Sequence, residues 1–214
     1  MKKIAILSFF FCAVAVVCFL NFEPTVSRAA GTFQATSSVN LTVTGDLAVG
    51  GCLGSTGMSN TMGIGADTAI GTGTLCTIST SNTTGYNVTV NATTSPALKN
   101  ASNSFTDAAS GSPAAFNTLV GGGTYKFAYT VMGTHAKAAW GNPVSCGKAV
   151  ASFGDVNPNE YYTGFGTIAT TTANWNSIAI NDTFQLCYAA GQNGTYAPSG
   201  VYQASAVVTV TTNP

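Results

Sequence analysis

The stretch Ser199-Gly200-Val201-Tyr202-Gln203-Ala204-Ser205-Ala206-Val207-Val208-Thr209-Val210-Thr211-Thr212 repeats with a period of two. Tyr202, Ala204, Ala206, Val208 and Val210 share one side, and Gln203, Ser205, Thr209 and Thr211 share the other. Such alternation predicts a strand with one buried and one wet face. Each Val it places in a core contributes about 1.5–3 kcal/mol. A strand in this position needs partners that precede it in the chain, so the upstream sequence is read for strands first.

Those partners are present. Ser38 to Thr44 alternates, with Val39, Leu41 and Val43 inward. Thr74–Thr80 and Tyr86–Ala92 read as the two arms of a hairpin, turned by Asn82-Thr83-Thr84-Gly85, where Gly85 is free to take a positive φ. Tyr125, Phe127, Tyr129 and Val131 give a further strand with aromatic mass for the core. Ser177–Ile180 and Thr183–Ala189 read as two more, with Phe184, Leu186 and Tyr188 on one side, and Gly191 to Gly194 as a turn. Asn100 to Thr124 reads as a surface excursion and His135 to Tyr162 as a long loop. No window of eleven residues after the N-terminal segment carries a helical stripe. The expected fold is all-β, an immunoglobulin-like antiparallel β-sandwich.

The N-terminus has a different character. Met1-Lys2-Lys3 is basic, Ile4 to Leu20 is apolar, and Ser27-Arg28-Ala29 places small residues where a signal peptidase reads. Residues 1–29 are therefore expected to be a secretory signal, with residues 30–214 forming a single domain. An uncleaved membrane anchor is the competing reading, since the apolar run approaches the ~18 residues a span needs. After cleavage, four lysines (Lys99, Lys126, Lys137, Lys148) face six acids, for a net charge of −2. Charged residues make up only 7% of the chain, and the lysines are too scattered for a phosphate-binding face, which excludes nucleic acid as a partner. The membrane enters only through the N-terminal segment, if that is retained.

Cys52, Cys76, Cys146 and Cys187 remain after cleavage. An even number in an exported chain predicts disulfides, and four cysteines allow three connectivities. No C-x-x-C pair suggests a metal. Pairing Cys52 with Cys76 and Cys146 with Cys187 joins neighbours in strand order and is the preferred connectivity. The expected location is secreted or cell-surface.

Candidate chemistry is sparse. His135, the one histidine, stands in Gly133-Thr134-His135-Ala136-Lys137 with no Gly-x-Ser-x-Gly motif or nucleophilic cysteine, and reads as a solvated loop side chain. Asp155 and Glu160 are the residue types of a glycosidase pair, but they share one loop instead of opposed strand ends. Residues 155–160 place oxygen donors at alternate positions, as in a calcium loop. The glycine expected sixth is Glu160, however, and the acid expected twelfth is Gly166. Trp140, Tyr161, Tyr162 and Trp175 fall in expected loops, where aromatics either contact a ligand such as a sugar ring or pack beneath the loops. No catalytic residue, cofactor or metal ligand is assigned, and the chain reads as non-enzymatic.

The run Ser38-Val39-Asn40-Leu41-Thr42-Val43-Thr44, the cysteine-bearing Thr74-Leu75-Cys76-Thr77-Ile78-Ser79-Thr80, and Thr84-Gly85-Tyr86-Asn87-Val88-Thr89-Val90 follow the apolar N-terminus in that order. With the final strand, this layout resembles the spore coat protein U-like domain of secreted bacterial pilus subunits. Thr94-Ser95-Pro96-Ala97-Leu98 is also similar to a pattern in uncharacterised secreted sandwich proteins of candidate-phylum bacteria. The resemblance implies that the early cysteines, Cys52 and Cys76, bridge the first strands, and it brings no catalytic residue. The insertion holding Trp140, Cys146 and Phe153 departs from it. Two functions follow as expectations. One is a surface or fimbrial structural subunit, pairing with copies of itself or other surface subunits by strand addition through Thr32–Thr44. The alternative is an adhesin-like module binding a glycan through its aromatic loops.

Overall fold

A computed structural model describes residues 32–35, 47–52, 58, 62, 68–141, 146 and 160–214. Its strands are β1 (Thr32–Ala35), β2 (Leu47–Gly50), β3 (Thr68–Thr80), β4 (Tyr86–Ala92), β5 (Thr106–Asp107), β6 (Ala114–Ala115), β7 (Thr124–Gly133), β8 (Tyr161–Tyr162), β9 (Thr170–Trp175), β10 (Ala179–Asn193) and β11 (Ala206–Thr212). One helical turn, α1 (Phe116–Leu119), and a 3-10 turn at Ala138–Trp140 complete the described elements. The expected signal at 1–29, the expected strand at Ser38–Thr44 and residues 155–159, Asp155 included, lie outside the described residues. No described helix is long and apolar enough to cross a membrane.

Two sheets, ordered β9-β4-β11-β1 and β2-β3-β10-β7-β5, face each other as an antiparallel β-sandwich. Parallel pairing among the described residues is confined to the two-residue ladder between β5 and β7 and an isolated bridge between Thr124 and Gly194. The core takes the faces that the alternation marks. Tyr86, Val88 and Val90 from β4 and Val208 and Val210 from β11 meet Cys76, Ile78, Phe127, Tyr129, Val131, Phe184 and Leu186 from the other sheet. Aromatic rings fill its middle: Phe165 lies 4.3 Å from Tyr129 and 5.3 Å from Phe127 by ring centroids. Tyr202 and Ala204 precede the hydrogen-bonded part of the last strand, yet still pack against the core.

Three local expectations are corrected. Thr74–Thr80 and Tyr86–Ala92 do not pair as a hairpin; β3 pairs with β2 and β10, whereas β4 pairs with β9 and β11. The turn between them carries the chain across the sandwich, and Gly85 does take a φ of 83°. Both arms turn an apolar side to one core, and that need is met equally well from opposed sheets. The expected strands at Ser177–Ile180 and Thr183–Ala189 belong, from Ala179 on, to the single strand β10. Its ladder to β3 shifts register between Ala179 and Asp182, where Asn181 has a φ of 55°. Gly191 to Asn193 extend this strand instead of turning.

The third correction concerns the excursion at Asn100 to Thr124. It folds back over the outer face of the second sheet, burying Phe116 and Val120 with Ala128, Ala189 and Tyr162. Gly191 makes this layer possible, because a Cβ there would sit 2.7 Å from Cε1 of Phe116. One face of the second sheet thus meets the core and the other meets this added layer.

The cysteines form the preferred pairs, Cys52–Cys76 and Cys146–Cys187. The first ties the residue after the β2 turn to β3, and the second ties the long loop to the outer face of β10. Two bridges of this kind belong to an oxidising environment.

Candidate functional site

Of the four candidate ligand-contacting aromatics, two are core residues. Trp140 is 2% exposed; its indole N–H donates to the Thr172 carbonyl (3.1 Å), and its ring packs 5.3 Å from Tyr129. Tyr162 is fully buried, donating its hydroxyl to Oε2 of Glu160 at 2.6 Å and resting 5.2 Å from Phe116. Burial, and then the Glu160 charge beside it, push the Tyr162 phenol far above its ordinary range. For these two, packing beneath the loops is the alternative that the burial supports. Their large apolar areas close the core and the added layer beneath the loop.

Glu160 is structural, at 1% exposure and accepting from the Tyr162 hydroxyl. Among the described residues, no three His, Cys, Asp or Glu side chains gather to hold a metal.

Tyr161 and Trp175 remain exposed, at 40% and 36%. Tyr161 lies on β8, facing away from its buried neighbour. Trp175 ends β9 opposite Tyr86 and heads a cluster with His135, Asp182 and Tyr86. His135 stacks on its indole at 3.8 Å with 8° between the planes. Nε2 of His135 lies 3.1 Å from Oδ2 of Asp182, and Tyr86 donates its hydroxyl to the same oxygen at 3.1 Å. Burial first, then the charge and hydrogen bond of Asp182, raise the Tyr86 phenol well above its ordinary range.

His135 is thus no free surface side chain, as the sequence reading expects. The segment that carries it leaves β7 in one sheet and bridges to β9 in the other: Ala136 faces Ala173, and the Lys137 N–H donates to the Thr172 carbonyl. Asp182 comes from the β10 bulge and Tyr86 from β4, so the cluster joins both sheets at one end of the sandwich. A carboxylate only accepts, so Nε2 of His135 carries the shared proton. No serine hydroxyl among the described residues bonds His135, and the flanking Thr134 and Thr183 hydroxyls bond each other at 3.1 Å. The arrangement is that of a carboxylate-held, ring-stacked histidine with no nucleophile beside it.

Removing the histidine should therefore be read in stability. His135→Ala leaves Asp182 with Tyr86 alone and strips one face of Trp175. The expected loss is about 1–3 kcal/mol of unfolding free energy, measured by urea titration. Tyr86→Phe, which keeps the ring and the His135–Asp182 contact, is expected to lose less.

A second network secures the same end. Asn213 donates its side-chain amide to the carbonyls of Trp175 and Thr84, both at 2.8 Å, and its N–H to the Gly85 carbonyl at 3.0 Å. Its own carbonyl accepts from the side chains of Asn82 (2.9 Å) and Thr84 (2.8 Å). A Cβ at Gly85 would collide with the Trp175 carbonyl oxygen, so this turn needs glycine both for its φ and for the close approach. No periodicity signals this latch, because its members lie up to 131 residues apart.

Beyond the other end of the first sheet, a shallow cleft of about 580 Å³ is lined by Thr93, Lys99, Asn100, Gln203 and Ser205. Asn100 is occupied with turn building there, its Oδ1 accepting from the N–H groups of Ser102 and Asn103.

No protein-family model matches the chain, and no curated protein or solved structure does either.

Proposed function

We propose that this protein is a non-enzymatic, exported structural subunit of a cell surface or fimbria, and that copies join by strand addition. One observation carries the reading. β1 is a four-residue edge strand that pairs, among the described residues, with β11 alone, from Val208 opposite Ala35 to Thr211 opposite Thr32. An antiparallel ladder depends on backbone groups, so the same register accepts the equivalent strand of a neighbouring copy. Eleven residues separate Ala35 from Leu47, enough chain to span up to about 35–40 Å.

Other features support it. β11 is latched through Asn213, which suits it to be the acceptor and β1 the donor. The apolar N-terminus, the two disulfides and the resemblance to pilus-type coat domains agree with export.

Light scattering of the oxidised chain 30–214 over a concentration series tests the proposal. The expected result is a mass that grows with concentration and collapses to monomer when residues before Leu47 are removed. A peptide of residues 30–46 should then bind the shortened chain. A full chain that stays monomeric throughout, together with a shortened chain that ignores the peptide, would sink the reading.

A further inference from the structure

Trp175 combines two properties that core packing alone does not require. It is held on every side the fold can reach, yet about a third of its surface is left in water. Its carbonyl accepts from Asn213 and its indole N–H donates to the Ile178 carbonyl at 3.1 Å. One ring face rests on His135, which Asp182 holds in turn. With the N–H and the carbonyl both engaged, the residue is still 36% exposed, which leaves indole carbon as the surface it can offer. Trp140, by contrast, is spent inside the core at 2% exposure.

The surroundings narrow what such a platform can receive. The connection Asn174-Trp175-Asn176-Ser177-Ile178-Ala179-Ile180-Asn181 between β9 and β10 carries no charge, and the Asp182 carboxylate in the cluster is paired with His135. Ile178 and Ile180 are exposed at 53% and 81%, adding apolar surface along the same connection. Asn176, next to the platform, is exposed, and its Oδ1 is turned towards Asn213 Nδ2 at 3.2 Å, a weaker contact that shares the two protons serving the Trp175 and Thr84 carbonyls at 2.8 Å. That leaves the Asn176 NH₂ to donate outward. A rigid carbon face beside an oriented amide matches a pyranose ring, whose C–H groups stack while its hydroxyls take the hydrogen bonds. Equatorially linked sugars offer the flattest such faces.

We infer that Trp175 is the stacking platform of a binding site for a neutral, β-linked polysaccharide, with Asn176 as its hydrogen-bonding partner and His135 as the residue that positions the ring. This site is separate from the β1–β11 edge, so a subunit could both assemble and hold a glycan. Either property can fail without the other.

The test uses the full oxidised chain with cellohexaose and chitohexaose as probes, followed by calorimetry and by tryptophan fluorescence. The expected result is saturable binding with a change in Trp emission. Kd should rise about tenfold or more in Trp175→Ala, consistent with loss of a stacking contact, should rise less in Asn176→Ala, and should be unchanged in Tyr161→Ala. Should Trp175→Ala fail to fold, Trp175→Phe and Asn176→Ala carry the test, each expected to weaken binding. No saturation by either sugar overturns the inference, as does equal binding by the folded Trp175 and Asn176 variants. Equal saturation by choline chloride also overturns it, because the platform would then be a cation site.

Discussion

Raising the pH above about 10 is expected to unfold this protein well before a typical soluble domain of its size. Four tyrosines, Tyr86, Tyr129, Tyr162 and Tyr188, have phenols held above their ordinary range, with burial the largest cause in each. Tyr129 and Tyr188 are pushed up to about 12, and Tyr129 is only 1% exposed. In the unfolded chain each phenol ionises near 10, so the unfolded state releases its protons first. Stability from this source is complete below pH 10 and is lost as pH climbs from 10 towards 12. For Tyr129 alone the difference is on the order of 3 kcal/mol. Domains of this kind are stable by only about 5–15 kcal/mol, so the four together suffice to unfold the chain. Far-ultraviolet circular dichroism and phenolate absorbance between about pH 8 and 12 should show one cooperative step. Independent titration of the tyrosines with the fold intact would contradict the burial argument. Tyr129→Phe should move the step to higher pH, provided the fold accepts the lost hydroxyl.

Loss of the disulfides is expected to have the next largest effect. Cys52–Cys76 closes a loop of sequence separation 24 and Cys146–Cys187 one of 41. Constraint of the unfolded chain then stabilises the fold by about 3–4 kcal/mol for each bridge. Cys76 and Cys187 are buried at 4% and 0% exposure, which shields the bridges from reductant in the native state. Paired alanine variants are therefore the cleaner probe. Cys146→Ala with Cys187→Ala should lower the guanidinium midpoint more than Cys52→Ala with Cys76→Ala, since the loop released is longer. Both pairs together should bring the domain close to its unfolding threshold at 37 °C. Midpoints unchanged by either pair would show that other contacts hold those loops.

The two predictions draw on different layers of the molecule. Tyr86, Tyr129 and Tyr188 report on the space between the sheets, whereas Tyr162 and the Cys146–Cys187 bridge report on the layer over the second sheet. That layer separates this protein from a plain two-sheet sandwich, and the Phe116–Tyr162 contact with the buried Glu160 is its centre.

Alternation alone determined a good deal. It placed Tyr86, Val88 and Val90, then Phe127, Tyr129 and Val131, then Phe184 and Leu186, and finally Val208 and Val210 on buried faces, because a strand's side chains alternate whatever it pairs with. It also named the turn at Gly85, since a positive φ is a property of that residue and its immediate neighbours. Pairing was another matter. β3 and β4 could share a sheet or face each other across the core with the same apolar sides inward, and only the competition of all strands for partners settled that they face. The candidate site was decided at the same level. His135, Asp182, Tyr86 and Trp175 come from separate segments and both sheets, so no local pattern could mark Trp175 as open and Trp140 as buried. Side-chain direction is written into consecutive residues, whereas exposure and company depend on what the rest of the chain brings alongside.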